Sequence, residues 1–150
     1  EISRLIGRSL RAVVDMEALG ERLVTVDCDV IDADGGTRCA AISGGYVALH
    51  MAMDRLVSED MIERSPLIDT VAAVSIGMLA GEARLDLEYV EDSTADVDMN
   101  LVATGSGQLV EVQSSAEGAT FSRAELDTMI DMGLAGCDRI RTLQLATIEH

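Results

Sequence analysis

The sequence contains no lysine and no tryptophan, and all 11 of its basic residues are arginine. With one phenylalanine and two tyrosines in 150 residues, it has almost none of the aromatic side chains on which single-stranded nucleic-acid bases stack. The 27 acidic residues give a formal net charge of −16, which disfavours tight electrostatic binding of a polyanion by this chain alone. An acidic surface of this kind is typical of a chain tuned for solubility.

Histidine and cysteine are also scarce, and their positions argue against several kinds of catalytic site. His50 falls inside a predicted helix and His150 is the last residue, so Ser-His-Asp and Cys-His catalysis are not indicated. The three cysteines lack the paired spacing of zinc ligands. We therefore expect Cys28, Cys39 and Cys137 to be small core residues in a reducing compartment.

No apolar run approaches the roughly 18 residues that a membrane span requires. The apolar fraction of 48% and the mean hydropathy of +0.22 indicate a folded core and argue against disorder. A chain of this length fits one domain, 1–150. We expect a cytoplasmic protein without membrane partners.

The periodicity of apolar residues predicts the first half of the chain. Helical spacing covers 2–16 and about 37–57. Between them, strict alternation over Arg22–Ile31 predicts a half-buried strand. Residues 58–69 form a polar connection. The polar side of the first helix carries three arginines, interpreted either as a solvated face or as a stripe facing an anion: Arg4, Arg8 and Arg11.

Two hairpins and a long helix are predicted in the second half. The hairpins join 70–79 to 83–90 and 97–104 to 108–114, each around a glycine-containing turn. A capping box at Ser122 begins the helix, which we expect to break near Gly136. This order of elements predicts the α+β class, with helices on one face of a largely antiparallel sheet.

Asp34-Gly35-Gly36-Thr37-Arg38 is the first candidate functional segment. Paired glycines allow close approach of the backbone to a ligand, and the first N–H groups of the helix attract anions. Thr37 adds a hydroxyl group, and Arg38 adds a fixed cation that matches phosphate in shape. Either this is a phosphate site or it is an ordinary turn before a helix.

The acidic segment EDSTADVDMN at 91–100 is the second candidate. Asp is unfavourable within strands, yet four carboxylates fall between two predicted strands. Oxygen ligands without His or Cys suit Mg²⁺ or Mn²⁺. Either the acids bind such an ion or donate a proton, or they form a solvated turn.

Four segments together resemble the ribonuclease PH family of phosphate-dependent 3′-exoribonucleases. They are EISRLIGRSLRAVVD (1–15), DCDVIDADGGTRCAAISG (27–44), GEARLDLEYVEDSTADVDMN (81–100) and EVQSSAEG (111–118). The resemblance runs over nearly the whole chain. It implies a ribonuclease PH-like α+β fold (ribosomal protein S5 domain 2-like).

The resemblance also implies a site and a reaction. Gly36, Thr37 and Arg38 match the phosphate-binding motif of the family, and Asp92 and Asp98 match its two active-site aspartates. Inorganic phosphate would attack the 3′ end of an RNA, such as a transfer-RNA precursor, and release a nucleoside diphosphate. The aspartates would hold Mg²⁺ or Mn²⁺, or protonate the leaving 3′-oxygen.

The chain departs from the family pattern in two respects. It matches the C-terminal two-thirds of the family protein, so we expect an N-terminal truncation that lacks several strands and a phosphate-binding arginine. Loss of that arginine would remove about 2–4 kcal/mol of transition-state stabilisation and leave weak activity. Ser114 stands where the family has glycine. Uncovered sheet edges predict a homo-oligomer.

Two other interpretations compete with a weak enzyme. The charge of −16 favours an inactive remnant that acts as an oligomeric scaffold. A missing N-terminal piece could also complete an ordinary enzyme. The retained Gly36-Thr37-Arg38 motif and the Asp92/Asp98 pair favour an active enzyme in either form.

Overall fold

The computed structural model describes residues 1–149, which form an α+β structure. The elements in chain order are α1 (Ile2–Arg11), α2 (Met16–Leu19), α3 (Thr37–Ser58), β1 (Val71–Leu79), β2 (Glu82–Leu85), α4 (Tyr89–Asp92), β3 (Val97–Thr104), β4 (Leu109–Ala116) and α5 (Arg123–Ile148). The predicted long helix at 37–57 and both hairpins are confirmed. Of the helices within this part of the chain, none has the length and apolar character to cross a membrane.

The four strands form one antiparallel sheet in the order β2-β1-β3-β4. In its centre Asn100 of β3 pairs with Ser75 of β1 and with Gln113 of β4. Two positions earlier on β3, Asp98 pairs with Gly77 and Ser115. Residues paired in this way share a face, so Asp98 and Asn100 lie on the same side of the sheet.

Helices cover both faces of the sheet, and the expectation of helices on one face was wrong. Val71 and Ala73 of β1 pack with α1 and α3, whereas Ala72 and Val74 pack with α5. The sequence of β1, VAAVSIGML, is apolar at nearly every position because both of its faces are buried. A continuous run of apolar residues in a strand indicates that both faces of the sheet are covered, here by two layers of helices.

Helix α5 begins at the predicted capping box, where Ser122 accepts a hydrogen bond from the backbone N–H of Glu125 and the Glu125 carboxylate accepts one from that of Ser122. The expected break near Gly136 was wrong, because α5 continues to Ile148. A Cβ at Gly136 would lie 2.9 Å from Leu85 Cδ1, and one at Gly133 would lie 2.9 Å from Ile76 Cδ1. These glycines allow the helix to approach the sheet closely.

The strand predicted at Arg22–Ile31 was wrong. The segment has no regular secondary structure and pairs with no strand among residues 1–149, because alternation specifies the spacing of side chains and does not supply a backbone partner. Its inner side lines an apolar cavity of about 580 Å³ between α1 and α3. Cys28 is exposed rather than in the core, whereas Cys39 and Cys137 are buried as expected.

Two other elements differ from their predicted bounds. The first helix ends at Arg11, and Asp15 then caps α2 by accepting hydrogen bonds from the N–H groups of Glu17 and Ala18. The strand predicted at 83–90 ends at Leu85. Asp86, with φ of 58°, turns the chain into the short helix α4.

Candidate active site

The four acids of segment 91–100 have separate roles in the structure. Glu91 forms an ion pair with Arg84 at 2.6 Å, and Asp96 accepts a hydrogen bond from the backbone N–H of Ala80 at 3.1 Å. Asp92, at the end of α4, and Asp98, on β3, both line a cleft of about 180 Å³. Because β3 begins only at Val97, Asp96 precedes the strand that carries Asp98.

The glycine-rich loop, residues 34–36, lines the same cleft. Gly36 has φ of 72°, a left-handed conformation that favours glycine, and is the N-cap of α3. A Cβ at Gly36 would lie 3.3 Å from Ser75 Oγ, so the loop sits directly on the sheet. Thr37 and Arg38 follow in the first turn of a 22-residue helix, whose N-terminal dipole favours a bound anion.

Two contacts hold the loop against the segment that carries Asp92. The Asp34 carboxylate accepts a hydrogen bond from the backbone N–H of Tyr89, the first residue of α4. A Cβ at Gly35 would lie 2.0 Å from the carbonyl oxygen of Leu87, an approach that only glycine allows. The spacing between Arg38 and Asp92 is therefore set by direct loop-to-loop packing.

Arg38 is the cation of the cleft and is free to bind an anion. Its guanidinium forms no salt bridge within residues 1–149. The lining places it with Thr37, Asp92 and Asp98 in a single space. The cleft therefore brings N–H and guanidinium donors together with two carboxylates.

Burial raises the pKa of the Asp98 carboxyl above its usual range, and the nearby charge of Asp92 raises it further. Arg38 opposes this rise and Glu117 adds to it. Two carboxylates that repel each other favour either a proton or a cation between them.

No group of three His, Cys, Asp or Glu side chains in residues 1–149 could hold a metal. The two aspartates fit an ion such as Mg²⁺, which takes one or two carboxylates with water and phosphate oxygens.

The arginine stripe of α1 adjoins the cleft. Arg4 and Arg8 line a neighbouring cavity of about 350 Å³, which shares Ile2 and Arg38 with the cleft. Arg8 also forms an ion pair with Glu111 of β4. The positions of Arg4 and Arg8 are therefore compatible with a stripe that faces an anion. Arg11 does not belong to that surface, because it lines the apolar cavity on another side of the helix.

Sequence reasoning missed two polar residues in the cleft, Ser75 and Asn100. Both are buried, with exposed fractions of 3% and 8%, and both interrupt apolar strands. An isolated polar residue in a buried strand is the signal that could have identified them.

Ser114, which departs from the family pattern, pairs with Met99, and Met99 faces α5. The Ser114 side chain therefore points away from the cleft. His50 lies within α3, and His150 lies outside the described residues.

Comparison with protein families gives matches to two domains of one family. Residues 1–53 match the 3′ exoribonuclease family, domain 1, and residues 69–136 match domain 2. Ribonuclease PH of Syntrophomonas wolfei is 56% identical over 144 residues, covering 96% of this chain and 60% of that protein. Ribonuclease PH of a Synechococcus species is 54% identical over 151 residues, covering 100% of this chain and 61% of that protein. The chain thus spans about three-fifths of the length of these relatives.

Solved structures share the fold at lower identity. Rice (Oryza sativa) Rrp46 superposes with a TM-score of 0.69 at 22% identity, over 98% of this chain and 64% of that one. A chain of the Archaeoglobus fulgidus exosome with RNA bound to the active site gives 0.68 at 18% identity, over 94% of this chain and 59% of that one. The ribonuclease PH-like fold expected from the sequence is confirmed. Both domain matches and the high identity to two ribonuclease PH proteins lead to one conclusion: the chain belongs to the 3′ exoribonuclease family.

Proposed function

We propose that this protein removes nucleotides from the 3′ end of RNA by phosphorolysis, with inorganic phosphate as the second substrate. The observation that carries the proposal is the convergence of Arg38 with Asp92 and Asp98 in one cleft. The 54% and 56% identity to two ribonuclease PH proteins supports the same reaction class. A transfer-RNA precursor is the substrate that we infer from these relatives.

Phosphate binding is assigned to the start of α3. Arg38 offers a charged fork of donors, and Gly36 leaves the first N–H groups of the helix accessible. Thr37 Oγ1 donates a hydrogen bond to the Asp34 carbonyl oxygen at 3.1 Å, which holds the hydroxyl group at the cleft. A phosphate oxygen then attacks the terminal phosphodiester, the bond from phosphorus to the 3′-oxygen breaks, and a nucleoside diphosphate leaves.

The carboxylates serve the other side of the reaction. Asp92 and Asp98 would hold Mg²⁺ or Mn²⁺, which when bound neutralises charge on the two phosphate groups. The leaving 3′-oxygen also needs a proton. Asp98 has a raised pKa and is suited to donate one when its carboxyl is not bound to the ion, so metal binding and proton donation are alternative roles for this residue. Together these residues offset the repulsion between two anionic substrates in an acidic protein.

RNA binding and assembly are further parts of the proposal. Arg4 and Arg8, beside Arg38, provide positive charge where an RNA strand could leave the cleft. We also infer a homo-oligomer, because Leu23 and Ile31 in the unpaired segment 22–31 have exposed fractions of 92% and 96%. A second copy would cover these side chains.

The test is a phosphorolysis assay on a short RNA with a free 3′ end, in Mg²⁺, with and without inorganic phosphate. We expect phosphate-dependent release of nucleoside diphosphates at a low rate. Arg38→Ala should reduce the rate about 10²–10³-fold. Arg139→Ala is the matched control, because Arg139 is exposed on α5 on the other side of the sheet, and it should leave the rate unchanged.

Asp98→Asn should abolish release and leave the oligomer intact in size-exclusion chromatography. Release of nucleoside monophosphates without phosphate would indicate hydrolysis and overturn the proposal. No release at enzyme concentrations above that of the RNA would support the inactive scaffold instead.

A further inference from the structure

Asn100 forms part of the floor of the cleft. It lies on β3, two residues after Asp98, and faces the same side of the sheet. Its exposed fraction is only 8%, so an amide group is buried in the middle of a strand, between the apolar residues Met99 and Leu101. Burial of an amide is unfavourable unless the group is hydrogen-bonded, which makes this residue unusual in a purely structural strand.

Only one end of this amide is bonded within the protein. The Asn100 Oδ1 atom accepts a hydrogen bond from Cys39 Sγ at 3.2 Å. Among residues 1–149, the Nδ2 amine has no hydrogen-bond partner. It is also not fully enclosed by protein, and Asn100 lines the cleft. The oxygen is therefore turned towards α3, and the two N–H donors of the amine are directed to the cleft.

Cys39 is suited to hold the amide in this orientation. It is buried at 4% exposure in the first turn of α3, directly after Arg38. Burial raises the pKa of its thiol to about 12, with a further increase from Cys137. The thiol thus remains protonated at physiological pH and remains a donor to Asn100 Oδ1.

The register of the sheet decides which substrate the amine faces. Asn100 pairs with Ser75, and Ser75 is the residue on which Gly36 of the glycine-rich loop rests. Asn100 therefore lies beneath the loop proposed to bind the anion, whereas Asp98 lies two residues earlier on β3, nearer to α4. An N–H donor beneath the loop complements the oxygen of a bound phosphate.

We propose that Asn100 Nδ2 donates a hydrogen bond to the inorganic phosphate in the cleft, and that Cys39 is a positioning residue that orients the Asn100 amide. This inference rests on the proposed function, since it assigns a further contact to the phosphate of that reaction. Asn100 contacts the substrate, while Cys39 acts only through Asn100.

Asn100→Leu tests the contact, because leucine has a similar volume and no donor. Binding of inorganic phosphate alone is measured by titration calorimetry, and the KM values for phosphate and RNA are measured separately. Loss of one hydrogen bond to a charged group weakens binding about 10–100-fold, so the Kd and KM for phosphate should rise by that factor. The KM for RNA should be unchanged.

Cys39→Ala and Cys39→Ser test the orientation. Alanine cannot donate to Asn100 Oδ1, so phosphate binding should weaken, by less than in Asn100→Leu. Serine restores a donor and should recover most of the affinity, an outcome that simple loss of packing would not produce. Cys137→Ala, which removes a buried thiol on the opposite face of the sheet, is the matched control and should leave phosphate affinity unchanged.

Unchanged phosphate affinity in Asn100→Leu would overturn the inference, as would a parallel rise in the KM for RNA and phosphate with a lowered Tm. Absence of phosphate binding by the unaltered protein would overturn it as well. Phosphate binding that depends on Asn100, in a protein that degrades no RNA, would support the inference and refute only the proposed reaction.

Discussion

The Asp34 carboxylate accepts a hydrogen bond from the backbone N–H of Tyr89 and so joins the glycine-rich loop to α4. The two residues are 55 positions apart in the sequence. Asp34 precedes Gly36, Thr37 and Arg38, and Tyr89 begins the short helix that ends at Asp92. This bond joins two segments that line the same cleft.

Asp34→Ala should therefore impair catalysis without unfolding the protein. A helix of four residues has little stability of its own, so loss of its N-terminal partner should displace Asp92. Misplacement of a catalytic group by about 1 Å can cost about 10²-fold in rate. The measurement is kcat together with the concentration of Mg²⁺ that gives half-maximal rate, and both should become less favourable.

Asp34→Asn is the control for this prediction, because its side-chain oxygen can still accept from Tyr89. It should keep most of the activity. Equal losses in the alanine and asparagine variants would show that the charge of Asp34 matters and that the hydrogen bond does not.

The raised pKa of Asp98 predicts a pH-dependent cost to stability. The pKa of an Asp in the unfolded chain is near 3.8, so between that pH and the higher folded pKa the folded state binds more protons. The contribution of Asp98 to stability is thus complete below the unfolded pKa and is lost as the pH rises through the folded pKa. In the absence of divalent cations, the charged form destabilises the fold at neutral pH.

Asp98→Asn should remove this cost. In urea unfolding with a chelator present, the variant should be more stable than the unaltered protein at pH 7, and the difference should shrink as the pH falls towards 3.8. Asp127→Asn, on the exposed side of α5, should show no such gain. A variant less stable than the parent at pH 7 would mean that Asp98 has a structural bond that outweighs its burial.

Ser114→Gly restores the residue that the family pattern has at this position, and it should not change activity. Ser114 pairs with Met99 on the face that packs against α5, away from Asp98. The Ser114 Oγ atom is buried and has no hydrogen-bond partner among residues 1–149, so the hydroxyl group makes no hydrogen bond to a residue of the cleft. The measurement is kcat/KM for RNA, and a clear gain in the glycine variant would contradict the assignment of this residue to the α5 face.

Gly133→Ala should destabilise the protein although alanine favours a helix. The new Cβ would lie 2.9 Å from Ile76 Cδ1 and 3.1 Å from Leu101 Cδ1, and both side chains are fully buried. Overpacking should lower the free energy of unfolding by about 1–2 kcal/mol, which exceeds the gain in helix propensity. Gly44→Ala in α3, where nothing lies within 4 Å of the added carbon, should instead raise it by about 0.5–1 kcal/mol. Urea unfolding measures both, and a gain at Gly133 would show that the sheet can relax.

Local signals in the sequence predicted much of the fold and part of the site. The capping box at Ser122, the two hairpins and the start of α3 depend on residues close together in the chain, and all were found. Residues Gly36, Thr37, Arg38, Asp92 and Asp98 were identified from motifs, and the structure places all five along one cleft. Asn100 was overlooked although its place in a buried strand was a local signal, and its side-chain contact with Cys39, 61 positions away, is visible only in the structure.

The sequence by itself determined the long helices, the two hairpins, the family and the chemistry of the candidate residues, because periodicity, caps and motifs are read over short stretches of chain. Only the tertiary structure decided that Arg22–Ile31 has no strand partner in residues 1–149 and that helices cover both faces of the sheet. It also decided that Asp92 and Asp98 share the cleft while Asp96 and Glu91 bond elsewhere. Each of these outcomes depends on backbone pairing or packing between distant segments, and a short stretch of sequence does not contain its own partner.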